Sequence, residues 1–454
     1  DTKNFNKDVK VLITLDEKSY KDGKMGDFHP MAWYHEYDGG RAFYTNWGHT
    51  HESFEEPIVV QHIWGGLQWL ASGRPQDYTK KLRSELPPEE NRFTKITLDR
   101  NLDEPTELAV TDAGKVFFGE RKGKLKMYDP KKGKTKVVAD LDVFSKFEYG
   151  LMGVNIDPDY NKNHWLYLFY SPQTGKADTA QHLSRFTYDD VKDTLIMSSE
   201  KVLLRVPVKR DGCCHTGGSI AWDKSGNLFL STGDDTNPFD SNGYGPMDNR
   251  PGRSGWDARA TSSNTNDLRG KILRIKPTPE GGYTIPEGNL FPAGIYHAKP
   301  EIYVMGNRNP YRISVDQKNG FLYWGEVGPD ASVDSEKGPR GYDEYNQAKG
   351  PGYYGWPYFI GNNQAYADVN FETMAIGPKF NPAAPVNESP NNTGLRELPP
   401  ATKAMIWYPY GTSDEFPLVG SSGRSATGGP VFHRSDFPNA KRAFPSYYEG
   451  KWLI

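Results

Sequence analysis

The sequence is poor in cysteine and has no long apolar segment. Its 454 residues include two cysteines, and these are neighbours, Cys213 and Cys214. Two adjacent thiols exclude a framework of long-range disulfides and argue against a cysteine-rich metal site. No apolar run approaches the length that crosses a membrane. The formal net charge of −3 argues against a nucleic-acid-binding surface.

In contrast, the chain is rich in turn-forming and aromatic residues. It contains 47 glycines and 34 prolines, and aromatic residues make up 13% of it. This composition favours a mainly β protein over a helical one. The length predicts two or three domains, and a stretch rich in glycine, proline and charge predicts a linker. We therefore divide the chain into a first segment over residues 1–77, a linker over 78–97 and a large domain over 98–454.

The first segment carries an α/β pattern. Residues 10–15 and 39–45 read as strands, and residues 56–70 have the amphipathic pattern of a helix. Four polar side chains could be metal ligands, namely His29, Glu36, His49 and His51. No tight metal-binding spacing is present, so we favour a role in loop hydrogen bonds. A strand, a hairpin and one helix are too small to bury a core alone, and we expect the chain to be cut from a longer polypeptide.

The chemistry of the large domain centres on residues 212–234. His215 lies between the two cysteines and a Gly-Gly pair, a strand pattern follows over 226–231, and Asp234 comes just after it. A histidine and a carboxylate at the two ends of one loop–strand unit are a candidate general base and its orienting partner. The alternative is a surface histidine in a glycine-rich turn.

A repeated motif indicates the fold of the large domain. An Asp-centred turn leads into a short aromatic and β-branched strand, and copies begin at Thr111, Asp157, Asp223 and Asp316. Repeated hairpins that cannot bury their faces alone are typical of a β-propeller rather than a sandwich or a jelly roll. Two long loops, 236–266 and 361–402, are either functional or surface decoration.

Several stretches carry a resemblance to a known family. They are 148–153 (EYGLMG), 215–218 (HTGG), 267–274 (DLRGKILR), 306–310 (GNRNP), 328–330 (GPD), 343–346 (DEYN) and 354–357 (YGWP). From about residue 97 onward the chain resembles the soluble glucose/sorbosone dehydrogenases. The resemblance implies a six-bladed β-propeller that binds pyrroloquinoline quinone (PQQ) and calcium. It also implies oxidation of a sugar or polyol hydroxyl, with electrons passing to an acceptor such as cytochrome c.

The same resemblance implies roles for individual residues. His215 matches the family's general base, and Asp234 matches the carboxylate that orients it and stabilises its charged form. The residues implied for the ligands are Arg308 and Asn309 for the anionic cofactor, and the carbonyl groups of Gly328 and Pro329 for calcium.

Two positions depart from the family pattern. Glu148 stands where the family carries glutamine, and Cys214 stands where it carries aspartate. A carboxylate beside an anionic cofactor is repelled unless calcium or a proton compensates. Another class of PQQ dehydrogenases stacks a neighbouring-cysteine disulfide on the cofactor, and we expect Cys213 and Cys214 to do the same. Two small buried hydrophobic side chains are the alternative.

The first segment resembles the C-terminal part of the ThuA (trehalose utilisation) family, related to the class I glutamine amidotransferases. The matching residues are His29–Trp33, Glu36, Gly39–Arg41, Phe43–Thr45 and Gly48–Thr50. The combination is similar to large multidomain bacterial proteins, and it implies a periplasmic, outer-membrane-associated or extracellular location.

Two functions remain open at this point. The first is a sugar-oxidising quinoprotein, favoured by His215, Asp234, Arg308 and Asn309. The second is a non-catalytic propeller that binds a glycan or a partner protein in an envelope assembly. It is favoured by Glu148, by Cys214, and by the expectation that the closing blades, with their cofactor-contacting basic residues, lie outside this sequence.

Overall fold

The computed structural model describes residues 4–72, 87–88, 90–175, 179–210, 212–421, 423–440 and 442–454. The chain forms two compact units. The first comprises Asp1–Thr94 with His433–Glu449, and the second comprises Lys95–Phe432 with Gly450–Ile454. Much of the predicted linker, residues 78–86 and 89, lies outside the described residues, so the predicted domain boundaries stay predictions.

The first unit is a three-stranded antiparallel sheet with two helices. Its elements are β1 (Lys10–Thr14), β2 (Pro30–Tyr37), β3 (Gly40–Thr45), α1 (His51–Glu55) and α2 (Pro57–Ala71). The last helix starts with proline in its first turn, where a missing N–H costs no hydrogen bond. Its buried Gly66 packs against the ring of Phe43, where a Cβ would not fit. These bounds agree closely with the predicted strands and helix.

The four candidate metal ligands of this unit lie apart. His29 contacts the carboxylate of Glu17 through its Nδ1 atom. Oε1 of Glu36 lies 3.5 Å from Nε of Arg41. Among the described residues, no three His, Cys, Asp or Glu side chains form a group that could hold a metal ion.

The second unit begins with two four-stranded antiparallel meanders. The first contains β4 (Pro105–Val110), β5 (Val116–Glu120), β6 (Lys124–Asp129) and β7 (Lys134–Asp140). The second contains β8 (Leu151–Ile156), β9 (Trp165–Tyr170), β10 (Ala180–Asp189) and β11 (Thr194–Pro207), with α3 (Tyr160–Asn163) between its first two strands. Consecutive strands pair within each sheet, as repeated hairpins require.

Two further sheets follow. The third contains β12 (Gly217–Trp222), β13 (Leu228–Thr232), β14 (Lys271–Pro277), β15 (Tyr283–Thr284) and β16 (Ile302–Met305). The fourth contains β17 (Pro310–Val315), β18 (Leu322–Glu326) and β19 (Asp343–Ala348). The remaining strands are β20 (Gly352–Tyr353), β21 (Phe359–Ile360), β22 (Gln364–Ala365), β23 (Ala367–Val369), β24 (Ile376–Lys379) and β25 (Ile406–Tyr408). Of these, β20 adds to the third sheet and β25 to the fourth.

The first strands of the four sheets pack side by side. Strand β4 contacts β8, β8 contacts β12, and β12 contacts β17. Thr106 of β4 donates a hydrogen bond to the Leu151 carbonyl at 2.9 Å, and Asn155 of β8 donates to the Ile220 carbonyl at 2.6 Å. Arg312 of β17 donates to the Thr106 carbonyl. The start of each sheet therefore lies beside the start of the next.

The two long loops that the sequence predicts pack against each other. Residues 236–266 contain short 3₁₀ turns, and between them Asp257 is fully buried. Its Oδ2 atom accepts a hydrogen bond from Ser389 at 2.5 Å, and Asn387 donates to the Arg259 carbonyl at 2.9 Å. Part of the loop over residues 361–402 folds into short paired strands. No helix of the described residues is long and apolar enough to cross a bilayer.

Candidate active site

The β12–β13 hairpin brings His215 and Asp234 together. Gly217 pairs with Thr232 at the end of this antiparallel hairpin, so the residues two positions further out face each other. Nδ1 of His215 lies 2.6 Å from Oδ1 of Asp234. Gly233 makes the approach possible, because a Cβ there would collide with the His215 carbonyl. The histidine is therefore not a surface residue in a turn.

Asp234 is held on both carboxylate oxygens. Oδ2 accepts a hydrogen bond from the indole N–H of Trp356 at 2.8 Å, and Oδ1 also accepts the backbone N–H of Thr236 at 3.0 Å. Asp234 is 0% exposed and His215 is 4% exposed. The carboxylate therefore faces Nδ1 of the imidazole while two further donors hold it in place. This contact fixes the tautomer in which Nε2 carries the free lone pair.

The loop before β12 is held from several directions. The backbone N–H of His215 donates to Oε2 of Glu148 at 2.7 Å, and the N–H of Gly217 donates to Oδ1 of Asn309 at 2.9 Å. Cys214 and His215 both have left-handed backbone angles, with φ of 93° and 63°, which are unfavourable for residues that have a Cβ. A disulfide joins Cys213 to Cys214, so the expected bond is present next to His215.

Arg308 lies at the same end of the third and fourth sheets. Its carbonyl accepts the backbone N–H of Asp234 at 2.8 Å, and its Nη1 donates to the Val327 carbonyl at 2.9 Å. Its guanidinium carbon lies 6.0 Å from the centre of the Trp356 ring. Arg308 is buried, so this cation contributes a strong local positive potential.

Two buried carboxyl groups lie next to Arg308. Glu326 accepts the backbone N–H of Arg308 at 2.7 Å, and its other oxygen, Oε2, makes no hydrogen bond within the described part of the chain. Burial, reinforced by the charge of Glu344, raises the pKa of Glu326 well above its usual value. Burial raises the pKa of Glu344 to about 7. These two side chains, Arg308, Gly328 and Trp356 line one small cavity.

Gly328, one of the two predicted calcium ligands, lines this cavity, and Pro329 follows it in the chain. The N–H of Gly328 donates to Oδ1 of Asp343 at 2.9 Å, which holds the turn in place. The carbonyl oxygen of Pro329 accepts a hydrogen bond from Nη2 of Arg424 at 2.8 Å. A cationic side chain therefore already contacts one of the two carbonyl groups.

The structure thus gathers the predicted residues around the end of one hairpin and one cavity. His215 contacts both Asp234 and Glu148 directly, Asn309 contacts Gly217 in the same loop, and the disulfide adjoins His215. No sequence pattern predicts a role for Trp356, Glu326 or Arg424. The first two lie in or beside motifs already noted, whereas Arg424 lies in a glycine- and serine-rich stretch with no other distinguishing pattern.

Two family models match parts of this chain. Residues 102–394 match the family model described as glucose/sorbosone dehydrogenase. The chain belongs to this family. Residues 2–70 match the family model described as trehalose utilisation, ThuA, so both resemblances drawn from the sequence are confirmed.

Two of the similar proteins are named sugar dehydrogenases. The chain is 25% identical over 328 residues to quinoprotein glucose dehydrogenase B of Acinetobacter calcoaceticus, covering 68% of this chain and 64% of that protein. It is 27% identical over 326 residues to aldose sugar dehydrogenase YliI of Escherichia coli, covering 70% of this chain and 74% of that protein. The solved PQQ-bound aldose sugar dehydrogenase of Streptomyces coelicolor is 25% identical. Its TM-score is 0.45, and the match covers 59% of this chain and 66% of that one.

Proposed function

We propose that this chain oxidises a hydroxyl group of a sugar or polyol, with PQQ as the cofactor and His215 as the general base. The observation that carries the proposal is the buried 2.6 Å contact between His215 Nδ1 and Asp234 Oδ1. The names of the two curated relatives, a quinoprotein glucose dehydrogenase and an aldose sugar dehydrogenase, support the same reaction class.

The dyad is suited to removing a proton from an alcohol. Nδ1–H of His215 donates to Asp234. Nε2 of His215 is therefore the atom that accepts the hydroxyl proton of the substrate. The imidazolium that forms is stabilised by the adjacent carboxylate, and Trp356 keeps that carboxylate in place. The carbon of the same alcohol group loses a hydride and becomes a carbonyl. The hydride needs a two-electron acceptor, and PQQ would supply this chemistry when bound.

The residues around the cavity fit an aromatic anion. Arg308 supplies a guanidinium and Trp356 an aromatic surface to the lining of the cavity. Asn309, Glu148 and the Cys213–Cys214 disulfide border the site from the His215 side. Proton uptake by Glu326 and Glu344, whose pKa values are raised, removes the negative charge that would repel such a ligand.

We further propose calcium as the metal of this site. The carbonyl oxygens of Gly328 and Pro329 are hard donors of the kind calcium prefers. Arg424 uses one lone pair of the Pro329 oxygen and leaves the other available. A calcium ion held there would supply Lewis-acid chemistry to the site.

The wider assignment follows the family. We propose that the second unit is a six-bladed β-propeller, which the side-by-side packing of β4, β8, β12 and β17 supports. The electron acceptor is a cytochrome or a similar carrier. We place the protein in the periplasm, at the outer membrane or outside the cell, where a disulfide is stable, as part of a larger multidomain protein.

Titration of the purified protein with PQQ tests the proposal. We expect saturable binding in the presence of calcium, loss of binding with EDTA, and sugar-dependent reduction of a dye over a panel of aldoses and polyols. His215→Ala is expected to bind PQQ and to lose turnover. Binding of glycans with no PQQ binding and no turnover would instead identify a non-catalytic binding propeller.

A further inference from the structure

Asp235 follows Asp234 directly in the chain, but its side chain contacts a different set of residues. Its Oδ1 atom accepts a hydrogen bond from the hydroxyl group of Tyr149. Its Oδ2 atom accepts the backbone N–H of Lys209 at 3.0 Å and Nη1 of Arg269 at 2.8 Å. The side chain is 8% exposed. One buried carboxylate therefore receives hydrogen bonds from three separate segments of the second unit.

Arg269 supplies the positive charge beside this carboxylate. Its Nε and Nη2 atoms donate to Oδ1 and Oδ2 of Asp267 at 3.0 and 2.7 Å, while its Nη1 atom donates to Asp235. A planar guanidinium can serve two carboxylates at once in this way. Because Arg269 lies just before strand β14, the contact ties Asp235 to the third sheet.

Tyr149 connects the carboxylate of Asp235 to the loop that carries Glu148. Its ring is fully buried, and it directly follows Glu148 in the chain. Oε2 of Glu148 in turn accepts the backbone N–H of His215 at 2.7 Å. The buried ring and the hydroxyl contact together fix Tyr149, and they restrict where the neighbouring Glu148 can lie.

The backbone around His215 needs such support. Cys214, His215 and Asp235 have left-handed φ angles of 93°, 63° and 51°, and residues with a Cβ keep this conformation only where the surrounding structure holds them. The backbone N–H of Asp235 donates to the His215 carbonyl at 3.3 Å. The contact of its carboxylate with Lys209 fixes the segment that leads to Cys214. Asp235 therefore restrains this part of the backbone from both its main chain and its side chain.

We propose that Asp235 is a positioning residue for His215. Its carboxylate holds the loops that carry Glu148 and Cys214, and so fixes the backbone from which the imidazole projects. The inference rests on the proposed function, in which His215 is the general base. Asp234 contacts the imidazole directly, whereas Asp235 acts through the backbone of the same residue.

The variant Tyr149→Phe tests this role, because it removes one hydroxyl group and keeps the ring. We expect kcat to fall by at least about fivefold and the Kd for PQQ to change less than about twofold, since these contacts act on the base. The matched control is Tyr167→Phe, for which we expect an unchanged kcat. Tyr167 is also buried and donates to Asp157 at 3.1 Å, at the opposite end of β8 from Tyr149.

Two kinetic outcomes would overturn the inference. Equal losses of kcat in Tyr149→Phe and Tyr167→Phe would mean that any lost buried hydrogen bond has the same effect. A larger change in the Kd for PQQ than in kcat would assign Tyr149 and Asp235 to cofactor binding instead.

Hydrogen–deuterium exchange of the apo protein gives a readout that needs no turnover. The backbone N–H groups of His215 and Gly217 both donate to side chains, so the peptide that contains them reports local opening of this loop. We expect this peptide to exchange about fivefold faster in Tyr149→Phe and at the wild-type rate in Tyr167→Phe. An unchanged rate in Tyr149→Phe would refute the inference.

The variant Arg269→Lys decides the question if Tyr149→Phe does not fold. Lysine keeps the charge but lacks the planar fork that reaches Asp235 and Asp267 together. The same faster exchange of the peptide around His215 is therefore expected. Exchange at the wild-type rate in Arg269→Lys would refute the inference.

Failure of the proposed function has a different signature. If the wild type neither binds PQQ nor oxidises a sugar, the proposed function fails. Faster exchange in Tyr149→Phe would then still show that Asp235 holds the backbone of His215. Unchanged exchange would overturn that role as well.

Discussion

The indole N–H of Trp356 and the carboxylate of Asp234 meet at 2.8 Å, in a place where both residues are buried. Their positions in the sequence are 122 residues apart. Trp356 occupies Oδ2 of Asp234, and Oδ1 faces His215. The orientation of the base therefore depends on Trp356, which lies outside the β12–β13 hairpin. The first two predictions test this arrangement.

Asp234→Asn is expected to lower kcat by about 10²- to 10⁴-fold, the range that general base catalysis supplies. The amide keeps the size of the side chain and cannot stabilise the imidazolium of His215. Asp223→Asn serves as the control, since Asp223 caps the turn at the opposite end of the same hairpin through Asn227. Stopped-flow dye reduction with saturating PQQ provides the measurement. A kcat within about threefold of the wild type would contradict the role of Asp234.

Trp356→Phe is expected to lower kcat by about tenfold and to change the Kd for PQQ less than threefold, because the indole N–H acts through Asp234. The buried Oδ2 atom loses its donor, which costs about 1–3 kcal/mol of unfolding free energy. Trp324→Phe is the matched control. Trp324 is fully buried, and its indole N–H has no hydrogen-bond partner within the described residues. Similar losses of kcat in both variants would show that ring volume, and not the hydrogen bond, is responsible.

The local sequence pattern predicts the pair His215 and Asp234, whereas residues such as Arg308 and Asn309 are predicted only through the family resemblance. His215 and Asp234 flank one antiparallel hairpin, so the pairing of Gly217 with Thr232 places them face to face. Trp356 and Arg424 reach the site from separate connections, and no periodicity in the sequence encodes such non-local contacts. Glu326 ends strand β18 in an ordinary strand pattern. The residues that surround Glu326 depend on how β18 and β19 are buried. The rise of its pKa depends on the same burial.

The neighbouring cysteines give a third prediction. Alkylation of the unfolded, unreduced protein is expected to add no label, and alkylation after reduction is expected to add two, because Cys213 and Cys214 are the only thiols. Reduction should also lower kcat, since the left-handed backbone at Cys214 and His215 can relax once the ring opens. Mass spectrometry reads the first result and dye reduction the second. Two labelled thiols in the unreduced protein would contradict the disulfide.

A fourth prediction concerns Lys271, the first residue of β14. Its ammonium group is fully buried and donates to the carbonyl groups of Thr261, Ser262 and Arg269 at 2.7, 3.0 and 2.7 Å. It thus ties the loop before β14 to the strand that pairs with β13. Burial lowers the pKa of Lys271 from 10.5 to about 7.

This shift sets the sign of a pH dependence. Between about pH 7 and pH 10.5 the unfolded chain binds a proton at Lys271 that the folded chain has released, so the free energy of unfolding rises with pH in that window. Below pH 7 both states are protonated and the full cost of burying the ammonium is present. The rise amounts to a few kcal/mol at most, because three carbonyl contacts favour the charged form.

Urea unfolding at pH 7, 8, 9 and 10 measures this dependence, with the proteins in the same buffer and at the same ionic strength. Lys271→Met is expected to lack the rise contributed by Lys271, and Lys276→Met, an exposed position on the same strand, is expected to follow the wild type. Lys271→Met also removes the hydrogen bonds that the amine donates to buried carbonyl groups, so its stability at pH 10 should fall below that of the wild type. Parallel pH curves for the wild type and Lys271→Met would mean that the buried amine keeps its proton throughout. In that case the three carbonyl contacts outweigh the desolvation of the ammonium, and the loop before β14 is held by a permanent charge.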